Sequence, residues 1–335
     1  MTSSKRVLLP QPIESEALSI LEKAGCEFVL SPDRDPETVG RLIKKADGLI
    51  LRTGISITRE LLAHADQLEI ISRTGGGFDN VDVTAATEKG IVVTSNIGVN
   101  TNSVIEHCLS LMLALAKSLP ALDRAVRNDQ YTIRYQNRPR DLQGKTLGLV
   151  GFGRIGSGLG RICRQIFDME ILVHDPYLPE RIESTCREWV KFVDIDTLFS
   201  KADVVSMHVP LTEKTRHAAG RKELALMKPN ALLINTSRGA VVDESALADV
   251  LKQKRIGGAG LDVLEQEPPS ADHPMLGLDN VILTPHTAAL THDCVIRMAT
   301  TAAECVLDVF NGKIPPNVAN PEVLKLGRWS HLVKH

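Results

Sequence analysis

Short apolar runs alternate with amphipathic segments along the first hundred residues. Residues 7–9, 28–30, 48–51, 68–72 and 91–94 each read as a buried strand, and residues 14–23, 36–45, 58–65 and 81–89 between them carry helical spacing. This repetition predicts a parallel sheet covered by helices. A longer helical pattern, 102–128, is expected to break or bend near Pro120 and to lead into a second unit. There the rhythm resumes, with strands expected at 146–150, 171–174, 190–193, 204–208, 232–235, 258–261 and 281–283. Residues 291–311 bring Val295, Met298, Ala302, Val306 and Val309 to helical spacing, so this segment reads as a helix that crosses back onto the first unit. The fold class is therefore α/β, two doubly wound parallel-sheet domains. One is discontinuous, 1–101 with 291–335, and the other is 102–290, while the stretch from Pro315 onward reads as an arm or a packed tail.

The second unit opens on Gly151-Phe152-Gly153-Arg154-Ile155-Gly156, directly after the apolar run 146–150 and before a helical stretch, with Asp175 ending the next apolar run. Such an order suits a dinucleotide. Gly151 permits the tight turn, Gly153 lets backbone approach a pyrophosphate, and Gly156 allows close packing of the helix, whose N-terminus presents unpaired N–H groups. An acid about 20 residues further on can accept hydrogen bonds from both ribose hydroxyls, and it repels a 2′-phosphate, so NAD is favoured over NADP. The motif lies well inside the chain, which requires a separate unit to fold from the residues before it.

Composition adds bounds. A chain of 335 residues, 43% apolar and 24% charged, suits two ordinary globular domains, and a net charge of -2 leaves no electrostatic footprint for nucleic acid. The N-terminal residues do not build a signal-peptide core, and the longest apolar stretch, 109–116, is too short to cross a bilayer, so no membrane partner is expected. Six cysteines without metal-ligand or redox spacing read as reduced thiols in a cytoplasmic protein, and no metal is expected.

Three expected strand ends in the second unit carry chemistry: Asn235-Thr236-Ser237-Arg238-Gly239, Asp262 through Glu265 and Glu267 to Pro268, and Thr284-Pro285-His286-Thr287-Ala288. At the carboxyl edge of a parallel sheet they would supply a cation, acids and an imidazole beside the cofactor. An enzyme that moves hydride to or from a carbonyl carbon needs such a set, to hold an anionic substrate, polarise its C=O and exchange the proton. The residues alone leave Glu265 and Glu267 equally eligible. Glu106-His107, inside a helical stretch, reads as structural, and His208, near a strand end, as a neighbour of the site.

Together with Gly75-Gly76-Gly77-Phe78-Asp79-Asn80-Val81-Asp82, Gly90-Ile91-Val92-Val93, Glu106-His107 and Val209-Pro210-Leu211-Thr212, these segments resemble the D-isomer-specific 2-hydroxyacid dehydrogenase family over nearly the whole chain, its phosphoglycerate dehydrogenase and hydroxypyruvate reductase branches in particular. The resemblance implies a flavodoxin-like substrate-binding domain and a Rossmann NAD-binding domain. It implies Arg238 as the cation on the substrate carboxylate and carbonyl oxygen, His286 as general acid/base and Glu267 as its partner. A carboxylate beside an imidazolium stabilises the charged form and fixes the ring. Carried over in the same way, cofactor contacts fall on Arg154, Ile155, Asp175, Val209, Pro210, Thr215, Thr236, Ser237, Arg238, Asp262, His286 and Ala288. Substrate contacts fall on Arg52, the backbone nest of Gly75, Gly76 and Gly77, Asn100, Arg238 and His286.

The implied activity is NAD-dependent interconversion of a small anionic 2-hydroxy acid and its 2-oxo acid, in a homodimer that buries the 102–128 helix. Arg52 and the arginines at 134, 138 and 140 are expected to meet a second anionic group, which favours a phosphoglycerate-like substrate. No regulatory domain is expected after the catalytic unit. Two departures, Ser95-Asn96-Ile97-Gly98 where many relatives have Asn-Thr-Pro-Gly, and Gly76 after the first cradle glycine, border the substrate and bear on its identity. The rival reading is an NADH-sensing binding or corepressor-type protein on the same fold.

Overall fold

Five parallel strands, β1 (Arg6–Leu9), β2 (Glu27–Leu30), β3 (Gly48–Leu51), β4 (Ile70–Arg73) and β5 (Val92–Thr94), form one sheet in the order β2-β1-β3-β4-β5. They belong to the first of two units in a computed structural model that describes residues 4–136 and 138–329. That unit draws on the segments Met1–Asn100 and Leu290–His335, and the second is Thr101–Ala289. The central strands β3 and β4 are buried throughout, whereas β2, on the edge, is only partly covered. Burial on both faces explains the unbroken apolar run of β3, since a parallel sheet is covered by its own crossover helices, while β4 ends on the buried polar pair Ser72 and Arg73.

The returning helix His292–Phe310 begins where Thr291 Oγ1 accepts from Cys294 N–H at 3.2 Å. Its Ala299, Ala302, Ala303, Val306 and Val309 pack into one core with Val7, Leu9, Ile50, Ile70 and Val92 from the sheet. The final described residues are packed rather than extended as an arm. Val323 and Trp329 are buried, and the Trp329 indole donates to Gly90 O at 2.8 Å.

In the second unit β6 (Thr146–Val150), β7 (Glu170–His174), β8 (Lys191–Phe192), β9 (Val204–Met207), β10 (Leu232–Asn235), β11 (Gly258–Leu261) and β12 (Val281–Leu283) form a seven-stranded sheet, order β12-β11-β10-β9-β6-β7-β8, with every pairing parallel. The order reverses between β6 and β9, so the ends of these strands flank the topological switch point. One face is covered by the helices Thr101–Ala116 and Arg154–Phe167, whose Val104, Cys108, Met112, Leu159 and Cys163 close over Leu147 and Leu149.

The long helix breaks near Pro120, as the sequence suggests, though not at the proline itself. Thr101–Ala116 and Leu119–Arg127 meet at 58°, and the turn is made by Ser118 at φ 51°. Pro120 instead occupies the first turn of the second piece, where its missing N–H leaves no intrahelical bond unmade. Among the described residues no single helix is long and apolar enough to cross a membrane. The six cysteines are free, five of them buried.

Candidate active site

The glycine loop is built by steric necessity. Gly151 leaves β6 at φ 96°, and a Cβ there would lie 2.7 Å from His208 O. One on Gly156 would lie 2.3 Å from Gly151 O, so neither position admits a side chain without moving backbone. Gly153 differs: a Cβ would meet nothing within 4 Å, and as N-cap of the 14-residue helix Arg154–Phe167 it offers no side-chain acceptor. The first N–H groups of that helix are therefore left for an anion. Asp175, just past β7, is aimed at the same loop, with Phe152 N–H donating to one carboxylate oxygen at 2.9 Å and Tyr177 N–H to the other at 3.1 Å. An open helix start beside a fixed, half-buried carboxylate fits a dinucleotide, phosphates on the first and ribose hydroxyls on the second. His208 lies against this loop with Nε2 buried and unpartnered among the described residues, and burial pushes its pKa down to about 4, so the ring is neutral.

The chemistry-bearing loops follow β10, β11 and β12. At the end of β10 buried Asn235 organises the turn: its Oδ1 accepts from Ser237 N–H and Oγ at 3.0 and 2.9 Å, and its Nδ2 donates to Arg238 O at 2.9 Å. Gly239 then passes so close to the next loop that a Cβ would stand 2.0 Å from Leu264 C. The Arg238 turn and the segment leading to Glu267 are thus packed backbone to backbone.

Within that segment the two glutamates separate. Glu265 Oε1 lies 3.0 Å from His217 Nε2 and accepts from Glu244 N–H at 3.3 Å. Glu267 turns the other way: Oε1 accepts from Leu264 N–H at 3.0 Å, and Oε2 is 2.8 Å from His286 Nδ1. Partial burial alone would raise the Glu267 carboxyl, but the His286 hydrogen bond, the Leu264 N–H and the charges of His286 and Arg238 outweigh it and hold it below the usual carboxylate range. An ionised carboxylate only accepts, so Nδ1 carries the hydrogen of that bond and Nε2 is the nitrogen left to exchange a proton.

His286 sits at φ 55°, its N–H donating to Asp262 O at 2.8 Å. The Asp262 carboxylate, itself buried, accepts from Thr284 Oγ1 at 2.6 Å, Thr287 N–H at 2.8 Å and Ala288 N–H at 2.9 Å, clamping the chain on both sides of the imidazole. Because Thr284 gives its only hydroxyl hydrogen to Asp262, the contact of 3.0 Å between Thr284 Oγ1 and His107 Nε2 requires His107 to be the donor. Asn235 and Thr284 lie in segments that the sequence already marked as chemistry-bearing, but their site-shaping roles, and that of His107, which reads as structural, emerge only from these contacts. A polar side chain at a buried strand end was the one available signal, since His107 reads as an ordinary helix residue.

Thus Arg238, Glu267, His286, Asp262 and Ala288 come together, as do the glycine loop and Asp175. Thr215 is turned inward, its hydroxyl donating to Pro210 O at 2.5 Å and accepting from Thr212 N–H at 2.8 Å, so it fixes the loop that carries Val209 and Pro210. In the first unit Gly75–Gly77 follow β4, with Asn100 alongside Gly76 and the buried Arg73 beneath, donating to Gly77 O at 3.0 Å and Leu51 O at 3.3 Å. Arg52 is committed to Glu14 at 2.9 Å. Arg140 is held by Asn230 through its backbone and side-chain oxygens at 2.7 and 2.8 Å, and Arg134 lies over the rings of Tyr131 and Tyr135.

Residues 109–288 match the family model for the NAD-binding domain of D-isomer-specific 2-hydroxyacid dehydrogenases. The chain is 41% identical over 316 residues to a D-3-phosphoglycerate dehydrogenase of Methanocaldococcus jannaschii, covering 94% of this chain and 59% of the relative. It is 38% identical over 327 residues to a glyoxylate reductase of Korarchaeum cryptofilum, covering 96% and 97%. Among solved structures, an NADPH-dependent glyoxylate/hydroxypyruvate reductase of Sinorhizobium meliloti, in complex with NADP and malonate, superposes with a TM-score of 0.83 at 29% identity, covering 95% and 98%. The chain spans 54–59% of the length of three phosphoglycerate dehydrogenases it matches.

Proposed function

The chain belongs to the D-isomer-specific 2-hydroxyacid dehydrogenase family, and from that premise we propose that it interconverts a small 2-hydroxy acid and its 2-oxo acid, with a nicotinamide dinucleotide as redox partner. The observation that carries the reading is the Glu267–His286 pair at 2.8 Å with the Arg238 charge close by. Arg238 grips the substrate carboxylate and polarises the C2 carbonyl, a bidentate task suited to a guanidinium. When bound, the nicotinamide would supply the hydride that C2 gains in reduction. His286 gives its Nε2 proton to the carbonyl oxygen, and in oxidation it takes that proton back. Glu267 holds Nδ1 and balances the imidazolium, while Asp262 holds the backbone on which the imidazole is mounted. Asp175 reads the ribose and gives NAD preference over NADP, with Gly151, Gly153, Arg154, Ile155 and Gly156 lining the pyrophosphate. Gly75–Gly77, Asn100 and Arg52 of the first unit serve the substrate side.

We place the enzyme in the cytoplasm, in keeping with its six free cysteines. We also assign it a homodimer. Support comes from the exposed Leu119, Val126, Tyr131 and Tyr135 along and just after the Leu119–Arg127 helix, an apolar strip that a second subunit would cover.

The test is NADH oxidation with a panel of 2-oxo acids, in wild type and His286→Ala. The substitution is expected to lower kcat by roughly 10²–10⁴-fold while NADH affinity, read by fluorescence titration, holds. Tight NADH binding without turnover of any acid would instead favour the sensor or corepressor reading. Loss of NADH binding in His286→Ala would remove the histidine from its assigned role.

A further inference from the structure

Resting on the assignment of Arg52 to the substrate side, we propose that Glu14 sets end-group specificity: its ion pair with Arg52 selects a 2-oxo acid whose far end is an uncharged hydroxyl, and turns away one that ends in a phosphate or a second carboxylate.

In the first sheet the order reverses between β1 and β3, so the crevice at the carboxyl ends of these two strands is where a ligand of that unit sits. The residues just beyond β1 include Gln11, Pro12 and Glu14, and those just beyond β3 include Arg52, Thr53 and Gly54. Arg52 Nη2 donates to Glu14 Oε1 at 2.9 Å, and Nη1 donates to Pro12 O at 3.1 Å. Both side chains are largely covered, 28% and 17% exposed, which limits screening by water. The guanidinium that would otherwise welcome a second anion is therefore already neutralised.

Glu14 precedes the helix Ser15–Lys23 as its N-cap residue, yet its side chain makes no capping bond. Its carboxylate is spent on Arg52 instead.

Two acceptor oxygens on the segment after β1 have no hydrogen-bond partner among the described residues, although both are buried: Glu14 Oε2 and Gln11 Oε1. The orientation of the Gln11 amide is fixed, because its Nε2 donates at 2.6 Å to Thr53 O, a carbonyl that can only accept. Unfilled buried acceptors call for a donor. A hydroxyl supplies one, whereas the oxygens of a phosphate dianion or a carboxylate carry no hydrogen and face the Glu14 charge. Arg34, exposed beside Gly54, is the cation on which a phosphate would have to rely instead.

The experiment compares kcat/KM with NADH for glyoxylate, hydroxypyruvate and phosphohydroxypyruvate in wild type, Glu14→Gln and Gln11→Leu. Glyoxylate has no third carbon and normalises each preparation. Wild type is expected to favour hydroxypyruvate over its phosphate ester by at least about tenfold, and Glu14→Gln to move that ratio toward the ester by about tenfold. Gln11→Leu is expected to lower hydroxypyruvate relative to glyoxylate by roughly fivefold; this second variant decides the matter if Glu14→Gln does not fold. Equal or better use of the ester by wild type, or an unchanged ratio in Glu14→Gln, overturns the proposal while glyoxylate turnover leaves the dehydrogenase reading standing. No turnover of any of the three acids overturns both.

Discussion

Two glycine-rich loops, each at the end of a parallel strand, use their glycines for different reasons. In Gly151–Gly156 the absent side chains are dictated from within, since a Cβ at 151 or 156 would strike backbone oxygen at 2.7 or 2.3 Å. In Gly75–Gly77 a Cβ on Gly75 or Gly76 would meet only the Arg73 and Asn100 side chains, at an ordinary 3.6 Å. The first loop is glycine because the fold demands it. The second has interior room for alanine at 75 and 76, so packing within the unit does not dictate glycine there.

The comparison breaks or holds on three substitutions. Gly156→Ala has the largest expected effect: forced backbone movement costs about 3 kcal/mol, which should appear as a Tm lower by roughly 6–12 °C, together with at least a tenfold loss of NADH affinity. Asp175→Ser follows. It leaves Phe152 N–H without its acceptor and removes the ribose partner, so the NADH/NADPH ratio of kcat/KM should fall by roughly 10–100-fold; an unchanged ratio would mean that the ribose is read elsewhere. Gly76→Ala is the smallest. Stability should stay within about 0.5 kcal/mol, with KM for the 2-oxo acid raised a few-fold and NADH affinity untouched. A collapse in Tm there would make the two loops alike, and an unmoved KM would take the second loop out of the substrate site.

The same contrast explains what could be read from the residues alone. Buried parallel strands announce themselves as short apolar runs, and β3, β10, β11 and β12 fall where those runs lie. The glycine motif was legible because its constraint is local, contained in consecutive residues and the next strand. The placing of the break at Ser118 was not, because serine has no intrinsic preference for φ near 51°, while the more conspicuous Pro120 is harmless in a first helical turn.

Legibility also fell with separation along the chain. Glu265 and Glu267 are two positions apart and chemically identical; the family resemblance points to Glu267, and the three-dimensional partners, His217 for one and His286 for the other, supply the physical distinction. His107 reaches Thr284 across 177 positions, and Glu14 reaches Arg52 across 38. The second of these contacts alters the expectation built on Arg52. A cation that looked available for a second anionic group arrives already matched, and Arg134 and Arg140 are likewise engaged with tyrosine rings and Asn230.

The split composition of the first unit bears on how the protein is made. Val93 N–H is satisfied by Asn320 and the Asn96 amide by Met298, while β1 and β4 lean on Ala302, Val306 and their neighbours. During synthesis the sheet face that these residues cover therefore stays exposed until the segment from Leu290 onward has emerged, whereas the opposite face packs against local helices. The downstream unit can meanwhile assemble from contiguous sequence. One face of the upstream sheet is thus sheltered only after the downstream unit has been made, and it is where a chaperone would be needed longest.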